Sequence, residues 1–405
     1  MPVLTIFNGL FCHAEAVVRD VMDSTGHRLI TDDDIITRAV QQFDMPENKI
    51  RRAFSAKTSV FNKFTREKEC AIACLRLAMA QLLDNTPAIV HGFGGLLIPQ
   101  TVSHGLRVCL IAEMPYRIHL AMSEEGLSEK DALKRIHSDD ANRSAWTDAL
   151  FSIPDPWDKN LYDMVLPMNK MAVPRASALI EENLVKEAVR RTPASDAAEK
   201  DFLLAASVEV ELTKSGHDVS VQAEAGAVTL TINKQVLMLS RLEDELRAIA
   251  SQVPGVVSVE TTVGKDFHES HIYRKHNFEV PSRVLLVDDE REFVQTLSER
   301  LQLREMGSVV AYDGESALSL INEDEPEVMI IDLKMPGIDG IEILKKVKQT
   351  RPEIEVIVLT GHGCEEDRER CMQLGAFAYL QKPVNIDLLS DTLKKAHARI
   401  QKDRS

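Results

Sequence analysis

The chain has 405 residues, 44% of them hydrophobic and 27% charged, and carries a formal net charge of −15. That length allows about two to four domains with real cores, while the acid excess, present both in residues 283–405 (17 basic against 24 acidic) and in the remainder, excludes the basic surface that nucleic-acid binding requires. The six cysteines form no Cys-x-x-Cys pair or disulfide framework, and no apolar run is long enough for a transmembrane helix.

In chain order, Val3–Phe7 is a short apolar strand, and no basic residue precedes Arg19, so the charged start of a signal peptide is missing and a cytoplasmic chain is expected. A helix is predicted from His13 to Ser24, with Val17, Val18, Val21 and Met22 on one face. Strand, loop and helix is the layout of a phosphate-binding unit. The loop itself, Asn8-Gly-Leu-Phe-Cys-His-Ala-Glu15, holds one glycine and no Gly-Lys-Ser/Thr. Its backbone cannot easily close around a polyphosphate, no lysine neutralises one, and Glu15 opposes it. Cys70 and Cys74 share a helical face and read as small buried residues.

Further strands are expected at Ala88–Val90, running into His91-Gly-Phe-Gly-Gly95, at Leu106–Ala112, and from Trp157 to Val165. Between them lies a charged helical stretch, Ser128 to Arg143, and a helix is expected from Arg175 to Arg190. Residues 1–191 resemble the cytidylate-kinase-like family of P-loop nucleoside monophosphate kinases. The resemblance implies a nucleotide partner, and matches Arg135, Asp139, Asp140 and Arg143 to the lid whose arginines grip phosphates. The plainer reading of those four is a solvated, internally paired helix face. Phe93 stands where the family's Gly-Arg-Gly has its arginine. With that arginine and the phosphate loop both missing, charge stabilisation of phosphoryl transfer is lost. The expectation is therefore a nucleotide-sensing or purely structural relic, the alternative being an active cytidylate-type kinase regulated from elsewhere in the chain.

Arg191 to Ala198 reads as a linker, with Ser195 or Asp196 able to cap the next helix. A helix (197–214), two strands (219–223, 228–232) joined at Gly226, a helix (236–253) and a strand from Val256 follow, an αββαβ order. Residues 199–265 look like a BON domain, which implies binding or spacing and no chemistry. The polar linker 266–282 holds His268, His271 and His276, either linker histidines or a three-histidine metal site.

From Arg283 the pattern is an alternation of strands and helices in which each strand ends on a polar group. Arg283-Val-Leu-Leu-Val runs into Asp288 and Asp289, Val328-Met-Ile-Ile into Asp332, Val356–Leu359 into Thr360, and Tyr379-Leu-Gln into Lys382-Pro383. Buried parallel strands carry their ligands at the carboxyl edge. Three acids, a hydroxyl and an ammonium there suit a divalent cation and a phosphoryl group.

These five elements resemble a response-regulator receiver domain over 283–405, with a flavodoxin-like, doubly wound sheet of five parallel strands. The resemblance implies that Asp332 is the phosphoacceptor, that Asp288, Asp289 and Asp332 hold Mg²⁺, that Thr360 and Lys382 contact the phosphoryl oxygens, and that Tyr379 is the switch aromatic. Lys334 and His362, each two residues beyond a site residue, would tune the lifetime of the phosphoryl group. The implied partner is a sensor histidine kinase or phosphotransfer protein. The whole is expected to be an α/β signalling chain of three modules, in which phosphorylation alters contacts with the upstream modules.

Overall fold

A computed structural model describes residues 2–43, 45–83, 86–234, 236, 238–264, 280–361 and 364–404, with side chains to Lys402. The three linker histidines, and His362, lie outside the described residues. The chain forms two compact units, Met1–Thr58 with Lys68–Arg274, and Ser59–Glu67 with Lys275–Ser405.

In chain order the first 192 residues form β1 (Val3–Asn8), α1 (Ala14–Thr25), β2 (Arg28–Thr31), α2 (Asp32–Gln42), α3 (Glu47–Arg52), α4 (Asn62–Thr65), α5 (Glu67–Leu82), β3 (Ala88–His91), β4 (Gly105–Ile111), α6 (Met114–Glu125), α7 (Glu129–Phe151), β5 (Met164–Pro167) and α8 (Val173–Leu184). The parallel sheet has the order β2-β3-β1-β4-β5. β1 is central and all six of its residues are buried. Val3 and Phe7 face one core, with Ile35, Leu75 and Trp146, while Leu4 and Ile6 face the other, with Val17 and Ile180. This two-sided burial is what an unbroken apolar strand demands.

Several boundaries differ from expectation. β2 was not foreseen, because only Ile30 of its four residues is fully buried and no period shows. A reciprocal pair ends it and starts α2: the Thr31 hydroxyl accepts from the Asp34 N–H, and the Asp34 carboxylate accepts from the Thr31 N–H. β5 begins at Met164 rather than Trp157, because Asp155 and Asp158 accept from the N–H groups of Trp157 and Asn160 and keep the chain turning. α8 stops at Leu184, where Asn183 folds back to donate to the carbonyl of Leu179.

The αββαβ order is present as α9 (Pro193–Lys214), β6 (Ser220–Glu224), β7 (Ala227–Ile232), α10 (Leu239–Ala250) and β8 (Ser258–Val263). β7 pairs antiparallel with β6 and parallel with β8. α9 serves two cores: Phe202, Ala206 and Val210 pack with the five-stranded sheet's core, while Val208 and Leu212 pack with Leu230 and Leu246. A helix apolar on two faces joins what it touches.

The second unit continues with β9 (Val284–Val287), α11 (Arg291–Gln302), β10 (Ser308–Ala311), α12 (Gly314–Glu323), β11 (Val328–Ile331), α13 (Gly340–Thr350), β12 (Glu355–Thr360), α14 (Glu365–Gln373), β13 (Ala378–Gln381) and α15 (Ile386–Arg404). Its parallel sheet has the order β10-β9-β11-β12-β13. Alternate residues of β9, β11 and β12 enter opposite cores, Leu285, Met329 and Val356 on one side and Leu286, Ile330 and Ile357 on the other.

Candidate functional site

The carboxyl edge of the second sheet gathers the polar strand ends. Asp332 follows β11, its N–H bonded to the carbonyl of Val287, and Asp288 follows β9, its N–H bonded to that of Ala311. The ladder thus continues to the residues that carry the site. Gly340 lets α13 begin there, since a Cβ on it would lie 2.2 Å from the carbonyl oxygen of Asp332.

Carboxylate oxygens of Asp288, Asp289 and Asp332 lie within 4.8 Å of one another. Asp288 and Asp332 are buried and Asp289 is exposed. The Lys382 ammonium reaches between the two buried acids, 2.6 Å from Asp288 and 3.0 Å from Asp332, and rests 4.4 Å from the centre of the Phe293 ring. Burial pushes the Asp288 carboxyl above its ordinary range, against the pull of Lys382 and of the Glu290 N–H. Burial also works against the charge on Lys382, but its bonds to the two carboxylates outweigh that and raise its pKa.

Thr360 is fully buried at the end of β12, and its carbonyl accepts from the N–H of Lys382. Tyr379 is half-buried on β13, its hydroxyl without a hydrogen-bond partner among the described residues. Lys334 is exposed, its N–H 3.3 Å from a carboxylate oxygen of Asp332. Three oxygen donors converging from two adjacent strands, one of them open to solvent, are a donor set that fits a hard divalent cation. Phe293, beneath the ammonium, was not anticipated from sequence; α11 brings it there and no motif marks it.

The corresponding edge of the first sheet is arranged differently. Arg117 of α6, 5% exposed, donates from Nε to the carbonyl of Leu10 in the β1–α1 loop and makes two bonds, 2.7 and 2.8 Å, to Asp140. The lid candidates are likewise engaged. Arg143 donates to Asp139 at 2.6 Å and lies against the rings of Phe7 and Phe93, 4.9 and 4.7 Å from their centres. Arg135 pairs with Glu125 beside the Phe11 ring. Arg143 is therefore buried rather than on a solvated face. Phe93 joins an aromatic cluster with Phe7, Phe54 and Trp146, whose indole N–H donates to the Phe93 carbonyl. Asp32 accepts from the N–H groups of Phe93 and Gly94, and burial pushes its carboxyl up to about 6. Arg117, which holds the loop, was not singled out by sequence.

Family models match in two places, the response regulator receiver domain over residues 284–394 and the cytidylate kinase-like family over residues 3–170. The sporulation initiation phosphotransferase F of Bacillus subtilis (strain 168) is 34% identical over 113 residues, 28% of this chain and 91% of that protein. The transcriptional regulatory protein CpxR of Escherichia coli (strain K12) is 42% identical over 104 residues, 26% of this chain; the match spans 44% of that relative's length. A crystal structure of a response regulator receiver domain protein from Clostridium thermocellum is 33% identical, covers 29% of this chain and 95% of its own, and has a TM-score of 0.28.

Proposed function

This chain belongs to the response regulators of two-component signalling, and on that premise we propose that Asp332 is its phosphoacceptor. The observation that carries this reading is the clustering of Asp288, Asp289 and Asp332, with the ammonium of Lys382 bonded to Asp288 and Asp332. A carboxylate oxygen of Asp332 attacks the phosphorus of a phosphohistidine on a sensor kinase or phosphotransfer protein. The O–P bond forms, the N–P bond breaks, and the imidazole leaves. Asp288, Asp289 and Asp332 would hold Mg²⁺, whose charge would neutralise that of the phosphoryl group. Lys382 and Thr360 then bind phosphoryl oxygens, Tyr379 turns inward as Thr360 is drawn to the new anion, and Lys334 and His362 set how long the acyl phosphate survives attack by water. A cytoplasmic location suits this chemistry. Among the described residues no helix is long and apolar enough to cross a membrane.

The upstream residues divide, on this reading, into a cytidylate-kinase-like module (1–191) without phosphoryl-transfer activity and a BON-like interaction module (199–265), separated by the 266–282 linker from the receiver (283–405). Support for the inactive first module comes from Arg117, whose guanidinium is bonded to the loop and to Asp140 where a phosphate loop would need a free cation.

The test is incubation of the intact chain with acetyl phosphate and Mg²⁺, followed by intact mass. One phosphoryl group is expected in wild type and none in Asp332→Asn. Equal labelling of the variant would discard the assignment.

A further inference from the structure

The unit that holds the receiver sheet also contains Ser59–Glu67, the end of the connection between α3 and α5 together with the first residue of α5, far from the receiver in sequence. Three separate features of the receiver meet this segment. The carboxylate of Asp324, the residue closing α12 and only 5% exposed, accepts the N–H of Val60 at 2.9 Å. The guanidinium of Arg283, at the start of β9, lies between Glu327 at 3.2 Å and Glu67 at 3.8 Å, with all three side chains largely buried. Gly307, just before β10, is bare where the Ser282 carbonyl and the Phe64 side chain both approach; a Cβ on it would stand 2.1 Å from the Ser282 oxygen and 2.6 Å from the Phe64 Cβ.

Each feature has a specific physical content. A buried carboxylate accepting a backbone N–H is a charge-assisted bond that fixes the chain's register. A buried guanidinium flanked by two carboxylates is costly to leave with one of them missing. The glycine admits an aromatic ring to contact the backbone. The segment is shaped to match: Phe61 is 1% exposed, the Ser59 hydroxyl accepts from its N–H, α4 makes a single turn, and Arg66 in the left-handed region ends that turn before Glu67.

Asp324, Arg283 and Gly307 all stand at the edge where the strands begin, opposite the one that carries Asp288 and Asp332. We infer that this starting edge is an intramolecular docking site, whose occupant is the chain's own Ser59–Glu67: a single helical turn that sets half-buried Phe64 against Gly307, with buried Phe61 before it and the carboxylate of Glu67 behind it. The chain thereby enters the receiver unit twice, once through this segment and once at Lys275. The receiver unit is therefore built from two stretches that are distant in sequence. The inference stands independently of the phosphoacceptor assignment, since none of its residues belongs to that site.

Hydrogen exchange of the intact chain, read by mass spectrometry, tests it. Amides of 60–67 are expected to exchange at least tenfold more slowly than in an unstructured chain. The double substitution Phe64→Ala with Glu67→Gln, which alters no residue beyond the segment, is expected to speed that exchange at least tenfold while β9 and β11 stay protected. Val60→Pro, which deletes the N–H given to Asp324, should do the same. Free-chain exchange of the segment in wild type, or unchanged protection in both variants, would overturn the inference.

Discussion

The ammonium of Lys382 lies 2.6 Å from a carboxylate oxygen of Asp288, although the two residues end different strands with β11 and β12 between them and 94 positions separate them in sequence. Each neutralises a charge that burial penalises in the other. In Lys382→Gln the two buried acids lose their cation, and the receiver should be destabilised by about 2–3 kcal/mol without divalent cations. Added Mg²⁺ should recover much of this by binding the folded form. Urea unfolding of the intact chain with and without Mg²⁺ measures both, and equal stability of variant and wild type without the metal would refute the coupling.

Mg²⁺ should also raise the thermal midpoint of the wild-type receiver transition, and Asp289→Ala should reduce that rise. Asp289 is the exposed member of the three acids, so its loss takes one carboxylate from the proposed metal site while disturbing little packing. Calorimetry over a Mg²⁺ series decides it; an undiminished rise in the variant would remove Asp289 from the site.

Phosphorylation should change hydrogen exchange mainly within residues 360–385, the stretch from buried Thr360 through α14 to half-buried Tyr379 and Lys382. Asp332→Asn should show no change under the same acetyl phosphate treatment. Labelled wild-type protein with unaltered exchange would exclude Tyr379 and Thr360 as a switch while leaving the acceptor intact.

The first module should transfer no phosphoryl group from ATP to CMP, dCMP or UMP. Arg117→Ala should not create that activity, and should cost about 3 kcal/mol of stability by stranding Asp140. A coupled nucleotide assay and denaturant unfolding measure the two. Turnover by wild type that is lost in Arg143→Ala would restore the active-kinase alternative.

Two buried acids should give the units opposite responses to acid. The Glu327 carboxyl is penalised by burial, but His397 and Arg283 outweigh that and hold it down to about 2. A depressed carboxyl stabilises the fold above its unfolded pKa, so its contribution, on the order of 3 kcal/mol, is whole above about pH 4.5 and lost as pH falls toward 2. Asp32, pushed up to about 6, acts in the other sense: the first unit should gain stability as pH falls from about 6 toward 4. Unfolding of wild type, Glu327→Gln and Asp32→Asn across pH 3–7 tests this. A Glu327→Gln deficit that persists undiminished to pH 3 would contradict the assignment.

The receiver was legible in the sequence because its chemistry is written where two local patterns meet. Apolar runs announce buried strands, and Asp288, Asp332, Thr360 and Lys382 stand at or just beyond strand ends, where a polar group must emerge. The absence of a Gly-Lys-Ser/Thr run after β1 was legible for the same reason, since that loop is short and contiguous. Tertiary structure alone decided what lies between distant positions. It put Arg117 of α6 against Asp140 of α7, closed the aromatic cluster over Arg143, slid Phe293 beneath Lys382, and built Ser59–Glu67 into the receiver unit. None of these has a period or a motif, because each depends on which helix faces meet after packing. A strand's end is set by its own residues, whereas a side chain's partner is set by everything that folds around it.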